Sequence, residues 1–362
     1  MSIFRKFEFK FPKKSKIVLI GITNKKIASD IVNKDFIIIN LDKFNFFVLI
    51  KLFFLNGIKI NDFRLNYLEH YLKFIGANIL ICSEDNNPLY WRIKDKLPEL
   101  KVLIIQNGWR MKKFDIFESR IIKRDEYKVD YFFTFNSSIS KLYSKFIKAK
   151  FIEIGSIENN FYNINNEIKK QGILYLSEYF ETNRYKEKLY TPKKLKWFNT
   201  EIILLPFLKS FCSKNNISLN ILPRIGSKNE FNFFEKILGK NSDWNYLKKK
   251  SNSYRFVDEA KVIIFSTTTL GYESLARKKK VLGFCCKLLS DPSRNFGWPM
   301  YYKKKEGFFW INYIHLNRFQ KKLNNLIKMN NYEWLRKSKK YQKNLMVYDK
   351  NNFKLKKIIE SL

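Results

Sequence analysis

Four consecutive hydroxyl residues, Ser266-Thr267-Thr268-Thr269, stand between an apolar run at residues 262–265 (VIIF) and a stretch of helical spacing at residues 270–277. The first turn of a helix leaves backbone N–H groups without intrahelical partners, and its dipole favours negative charge there. With hydroxyls beside those N–H groups, the turn becomes a seat for a phosphate. Glu273 falls one turn further on. A carboxylate there is placed to accept hydrogen bonds from sugar or ribose hydroxyls. A cap needs only one hydroxyl, and a first-turn acid can be simply solvated.

Other candidates follow apolar runs in the same way. Asp85 lies in Ser83-Glu84-Asp85-Asn86-Asn87-Pro88, after NILIC. It is a candidate general base toward an acceptor hydroxyl, although Asp and Asn are also common turn formers. Gln106, Asn107, Gly108 and Arg110 follow VLII. Gly108 permits a tight turn, the two amides project at a strand end, and Arg110 offers a charged fork; an ordinary Asn-Gly turn with a surface arginine reads the same. Arg224 follows SLNIL and is suited to meeting a diphosphate bidentately, or else is a solvated surface residue. Gly155-Ser156 is a candidate hinge. His70, within a helical pattern, and His315, just before one, suit structural roles.

These segments need elements to hold them. Short apolar runs occur at residues 16–20, 36–40, 78–82, 102–105, 131–135 and 151–154, and again at 172–176, 219–222, 262–265 and 280–284. Runs of this length without alternation mark strands buried on both faces of a parallel sheet. Helical spacing recurs at 61–75, 206–214, 229–238, 270–277, 316–329 and 332–347. Such alternation predicts an α/β protein of two Rossmann-like doubly wound domains facing a central cleft. The chain turns polar at residues 158–171. The expected division is therefore a first Rossmann-like domain at 1–160, a second at 170–330 and a helical tail at 331–362.

The chain has 362 residues, with 45% hydrophobic and 28% charged, enough apolar material for packed cores. Its net charge is +37. Lys, Asn, Ile, Phe and Tyr abound while Gly and Pro are scarce, as A/T-rich codons dictate, so much of the charge reflects composition. What remains attracts anionic partners. The lysines are spread along the chain and no recognition motif appears, which disfavours a nucleic-acid-binding protein. Four cysteines without a CxxC pair and two histidines predict no metal site and no disulfide framework. Free thiols, and an N-terminus with charges scattered through it, suggest a cytoplasmic protein. The stretch FNFFVLIKLFFL at 44–55, with Lys51 and Lys59 nearby, is too short to span a bilayer. It reads as a core helix in preference to a membrane-interface helix.

In order, FRLNYLEHYLKFIGANILICSEDNN, VLIIQNGWR, VDYFFTFNSS, FIEIGSIENN, GILYLSEY, SYRFVDEAKVIIFSTTTLGYESLARKKKVLGF, FGWP and FFW resemble the bacterial surface-carbohydrate (O-antigen) biosynthesis proteins. That group is considered to have the two-domain GT-B glycosyltransferase architecture, and STTTLGYESLA is the most specific match. The resemblance implies a donor side at Ser266, Thr267, Thr268, Thr269 and Glu273, with Arg224 where a basic residue meets donor phosphates. It places Asp85, Gln106, Asn107, Gly108 and Arg110 on acceptor-side loops and assigns no base. The expected activity is metal-independent transfer of a sugar from a nucleotide-sugar donor to a saccharide or lipid-linked saccharide acceptor. No cofactor is expected, and the protein would be cytoplasmic, with peripheral attachment to an anionic membrane surface. A polyol-phosphate transferase and a nucleotide-sugar epimerase remain open on the same scaffold, as does a binding protein without activity.

Overall fold

The computed structural model describes residues 7–56, 62–110, 127–165, 170–181, 198–240, 243–248, 252–286, 295–301 and 303–362. Lys59 lies outside them. The chain divides into two units, the first comprising Met1–Gly108, Phe114–Phe161 and Asp349–Leu362, the second Trp109–Lys113 and Tyr162–Tyr348.

The first unit contains strands β1 (Phe7–Glu8), β2 (Ile17–Ile20), β3 (Phe36–Ile39), β4 (Phe44–Asn45), β5 (Ile79–Cys82), β6 (Lys101–Ile105), β7 (Lys128–Thr134) and β8 (Lys148–Glu153). Its helices are α1 (Lys25–Ile31), α2 (Phe46–Asn56), α3 (Phe63–Ile75), α4 (Leu89–Lys96), α5 (Ser137–Tyr143) and α6 (Ile157–Phe161). The main sheet has the order β3-β2-β5-β6-β7-β8 and is parallel throughout. β2 and β5 are buried at every position, as strands covered on both faces must be. From β2 the chain crosses to β3 on one side, then to β5 on the other, so the topological switch point lies between β2 and β5.

The second unit contains β9 (Gln171–Leu176), β10 (Leu219–Leu222), β11 (Asn245–Tyr246), β12 (Ala260–Phe265), β13 (Val281–Phe284), β14 (Glu306–Gly307) and β15 (Trp310–Ile311). Around them run α7 (Asn199–Lys214), α8 (Lys228–Leu238), α9 (Tyr254–Glu259), α10 (Thr269–Ala276), α11 (Leu316–Lys328) and α12 (Asn331–Leu345). The order is β11-β10-β9-β12-β13-β15-β14, parallel except for the β14–β15 pair. β9 is followed by β10 and β11 on one side and by β12 and β13 on the other, which puts this switch point between β9 and β12.

Two differences from the sequence reading stand out. Residues 331–362 do not form one tail: α12 belongs to the second unit and Asp349–Leu362 to the first. There helix α13 (Phe353–Glu360) buries Leu355 and Ile359 in the core around Leu19, Ile27 and Ile81. Asn160 fastens the returning chain, donating to Asn352 Oδ1 and accepting from the Asp349 N–H, both at 3.0 Å. Nor is the stretch at 44–55 wholly a core helix: α2 buries Val48 and Leu52 while exposing Phe46, Ile50, Phe53 and Phe54.

A buried charge cluster holds the chain where it enters the second unit. Arg277 donates to both Asp258 oxygens at 3.1 and 2.6 Å and to the carbonyls of Tyr162 and Asn163. Lys279 Nζ lies 3.1 Å from Asp258 Oδ1, and Lys170 donates to the Asp258 carbonyl. Burial pulls the Lys279 ammonium down from 10.5 to about 8, although Asp258 favours its charge. Between those values the unfolded chain holds a proton that the folded chain has released, so this group adds stability as pH rises through the window. Buried thiols such as Cys82 and Cys212, pushed upward by desolvation, have the opposite sign. A Lys279→Met variant isolates the lysine. The stability of the wild type minus that of the variant, from urea melts, should be flat below pH 8 and rise toward pH 10.5. A difference that is flat or falling across the window would refute the assignment.

Candidate functional site

In open parallel sheets, ligands bind beyond the carboxyl ends of the strands at the switch point. In the second unit this brings together the turn after β9, Ser177-Glu178-Tyr179, and the turn after β12, Ser266-Thr267-Thr268. Helix α10 starts at Thr269, with Thr268 as its N-cap in extended conformation and no side-chain cap bond. Its first N–H groups therefore lack the usual side-chain acceptor.

The four hydroxyls have distinct surroundings. Ser266 is fully buried, and its Oγ has no hydrogen-bond partner among the described residues. Thr267 donates from its backbone N–H and its Oγ1 to the Glu178 carboxylate, the latter bond at 3.1 Å. Thr268 is half-buried. Thr269 Oγ1 accepts the Trp109 N–H at 3.0 Å. Glu273, one turn into α10, is 7% exposed and accepts from the Tyr254 hydroxyl at 3.0 Å. The structure thus gathers Ser266–Thr269 and Glu273 on one turn and its helix.

It also adds Glu178, which sequence reasoning missed. Ser177-Glu178 directly follows a strand, the same signal that picked out the other candidates, but a lone acid after a strand reads as solvated. In the fold it sits at the helix N-terminus, where the dipole favours a carboxylate.

Arg224 has an exposed side chain at the end of β10. The backbone N–H groups of Arg224, Ile225 and Gly226 all donate to the buried Glu230 carboxylate at 2.8 Å. Ser177 Oγ donates to the same carboxylate. The anion-binding backbone of this turn is therefore filled from within. Ser177 and Glu178 together tie β9 to the turns on both sides of it.

The segment QNGWR is divided between the units: Gln106, Asn107 and Gly108 belong to the first, Trp109 and Arg110 to the second. Trp109 stacks on Tyr272 with centroids 3.6 Å apart, and Tyr272 lies parallel to Phe296 at 5.3 Å. This ladder backs α10, and the Tyr272 hydroxyl accepts the Gly297 N–H at 3.2 Å. Burial holds the Tyr272 phenol well above its ordinary pKa. Arg110 is also buried.

In the first unit, Asp85 is fully buried. Its Oδ1 accepts the Asn107 N–H at 3.1 Å and its Oδ2 accepts the Tyr143 hydroxyl. Gln106 donates to the Gly108 carbonyl and accepts the Phe135 N–H, both at 2.9 Å. Asp85 and Gln106 thus fix the loops after β5, β6 and β7. This burial speaks against Asp85 as a base in direct contact with an acceptor. The neighbouring Glu84 is half-buried and lines a small polar pocket with Asn40, Asp42, Arg64 and Tyr67. Its Oε2 accepts from the Tyr90 hydroxyl at 2.9 Å, and burial raises the Tyr90 pKa.

Among the described residues, no group of three His, Cys, Asp or Glu is arranged to hold a metal ion, and all four cysteines are buried and free. No described helix is long and apolar enough to cross a membrane.

Comparison with known proteins agrees with the architecture. No curated protein sequence matches the chain. The S. aureus MnaA–UDP structure aligns with a TM-score of 0.55 at 12% identity, covering 96% of this chain and 95% of that one. The Methanocaldococcus jannaschii UDP-GlcNAc 2-epimerase, solved with UDP-GlcNAc and UDP, aligns at 0.54 and 12%, covering 96% and 99%. The wall teichoic acid polymerase TagF, as its H444N variant, aligns at 0.53 and 14%, covering 97% and 89%. Identities this low establish a shared fold, of the GT-B type, and nothing more. A family model described as "putative O-antigen biosynthesis protein" matches residues 103–362. With the model covering well over half of its length, the chain belongs to this O-antigen biosynthesis family.

Proposed function

We propose that the protein is a glycosyltransferase of bacterial surface-polysaccharide assembly that takes its sugar from a nucleotide-sugar donor. The observation that carries this reading is the second unit's switch point, where α10 begins at Thr269 without a side-chain cap and the half-buried Thr267, Thr268 and Thr269 line its start; Ser266, fully buried like Asp85, lies beneath them. On this reading the donor diphosphate lies at residues 266–269, with Arg224 adding positive charge. Glu273, oriented by Tyr254, accepts hydrogen bonds from ribose hydroxyls. As the glycosidic bond breaks, negative charge grows on the departing nucleoside diphosphate. Helix N–H groups, hydroxyls and guanidinium lie ready to stabilise it, and no metal takes part. The acceptor hydroxyl is assigned to the first unit's switch-point loops, where Glu84 offers the accessible carboxylate and Asp85 keeps the loop in place. Family membership and similar structures solved with UDP or UDP-GlcNAc support a nucleotide sugar as substrate.

A Glu273→Ala variant should bind the nucleotide at least about tenfold more weakly by calorimetry, the loss expected for a hydrogen bond to a charged group. Losing the acceptor of the buried Tyr254 hydroxyl should also cost about 1–3 kcal/mol of stability, so affinity is compared at a temperature where both proteins are fully folded. Unchanged affinity in a folded variant would remove Glu273 from the site. A second reading, a nucleotide-sugar epimerase, has support from the near full-length alignment with the M. jannaschii enzyme. It predicts conversion of UDP-GlcNAc without any acceptor; a transferase requires one.

A further inference from the structure

We propose that the first unit carries a docking surface for an anionic lipid bilayer, built from the exposed face of α2 and the neighbouring residues 7–14. The observation is an apolar patch that the described residues leave uncovered. Phe9, Phe11, Phe46, Ile50, Phe53 and Phe54 are all exposed, Phe54 by 81% and Phe11 by 61%. They belong to one surface: β1 pairs with β4 directly before α2, the Phe9 and Phe46 rings lie 5.3 Å apart, and Phe11 and Phe47 are equally close. Val48 and Leu52 anchor the helix to the unit from its other side.

The charge around the patch identifies the occupant. Lys10, Lys13, Lys14 and Lys51 are exposed within the same two segments and Lys43 just before β4, against the acids Glu8 and Asp42. Lys14 and Lys51 hold their ammonium groups 5.3 and 5.1 Å from the Phe74 ring centroid. Protein interfaces enrich aromatic residues but are depleted of lysine. Protruding apolar side chains ringed by lysine belong instead to helices that lie in a bilayer interface, where the rings enter the acyl boundary and the ammonium groups meet anionic head groups. The 11 residues of α2 extend roughly 16 Å, about half the hydrocarbon thickness, so the helix rests in the interface and does not span it. The surface is independent of the nucleotide reading and stands or falls separately from it.

Flotation of the full chain tests the proposal, using vesicles of phosphatidylcholine with and without phosphatidylglycerol. The wild type should float with the anionic vesicles. Phe53→Ser/Phe54→Ser should lower the partition coefficient at least about tenfold, from the loss of two buried rings, with an unchanged thermal melt. Lys13→Glu/Lys14→Glu should weaken binding to the anionic vesicles alone. A Phe54→Trp reporter should shift its emission to the blue on vesicle addition and be quenched by lipids brominated near the head group. Flotation of the double serine variant at the wild-type level would assign binding to overall charge and overturn the proposal. A wild type that does not float would overturn it too. So would a vesicle-free dimer, seen by sedimentation, that the double serine change splits, since a second copy would then own the patch.

Discussion

Gly271→Ala should destabilise the second unit by about 3 kcal/mol or more and lower its melting temperature by about 6–12 °C. Helix propensity alone points the other way, since alanine in place of an interior glycine gains about 1 kcal/mol. Packing decides the sign. A Cβ at Gly271 would stand 2.1–2.4 Å from ring atoms of Phe265. Phe265 cannot yield, because it is fully buried with its centroid 5.5 Å from Tyr272 and 5.7 Å from Phe296. The added methyl must lift α10 off the end of β12, which also moves residues 266–269, so nucleotide affinity should fall with stability. A Gly271→Ala/Phe265→Leu double variant should recover part of the loss, as coupled neighbours do. A stabilised Gly271→Ala protein would mean that the helix does not rest on the strand as described.

Glu230→Ala should cost at least about 3 kcal/mol, since it takes the acceptor from four donors, the buried Ser177 hydroxyl among them, and each donor that water does not reach costs roughly 1–3 kcal/mol. The carboxylate is fully buried and takes three backbone N–H groups and the Ser177 hydroxyl. Its loss releases the turn carrying Arg224 and one of the two ties on the turn after β9. Glu230→Gln keeps the shape and some acceptor capacity, so its cost should lie between wild type and alanine. Chemical denaturation measures both. A near-neutral alanine variant would mean that water reaches the turn and replaces the carboxylate.

The strands were legible because parallel strands covered on both faces must be continuously apolar: IVLI, ILIC and VIIF announce β2, β5 and β12. Four adjacent hydroxyls after the last of these marked the start of α10. Residues that act through partners distant in sequence were not legible. Glu178 and Glu230 look like surface acids until the crossings between β9, β10 and β12 bring backbone N–H groups to them. Ser227-Lys228-Asn229-Glu230 has the spelling of a helix capping box. Ser227 does accept the Glu230 N–H at 3.2 Å, but the carboxylate turns back to residues 224–226. Asp85 shows the converse: its strand-end position suggests chemistry, and its depth ties it to the Asn107 N–H and to the Tyr143 hydroxyl at the end of α5. The return of Leu355 and Ile359 to the first unit left no local sign, because an amphipathic helix does not name its partner. The greasy composition of α2 suggested a core, while its Phe53-Phe54 pair faces outward.

The central claim is that the start of α10, with Ser266 beneath it, holds the diphosphate of a nucleotide. Amide hydrogen exchange with and without saturating UDP or UDP-sugar tests it most directly. Exchange should slow in residues 266–273 and in the turn at 177–179, and Glu273→Ala should need at least about tenfold more nucleotide to reach the same protection. Protection that falls elsewhere in the chain while 266–273 exchanges as in the free protein would contradict it.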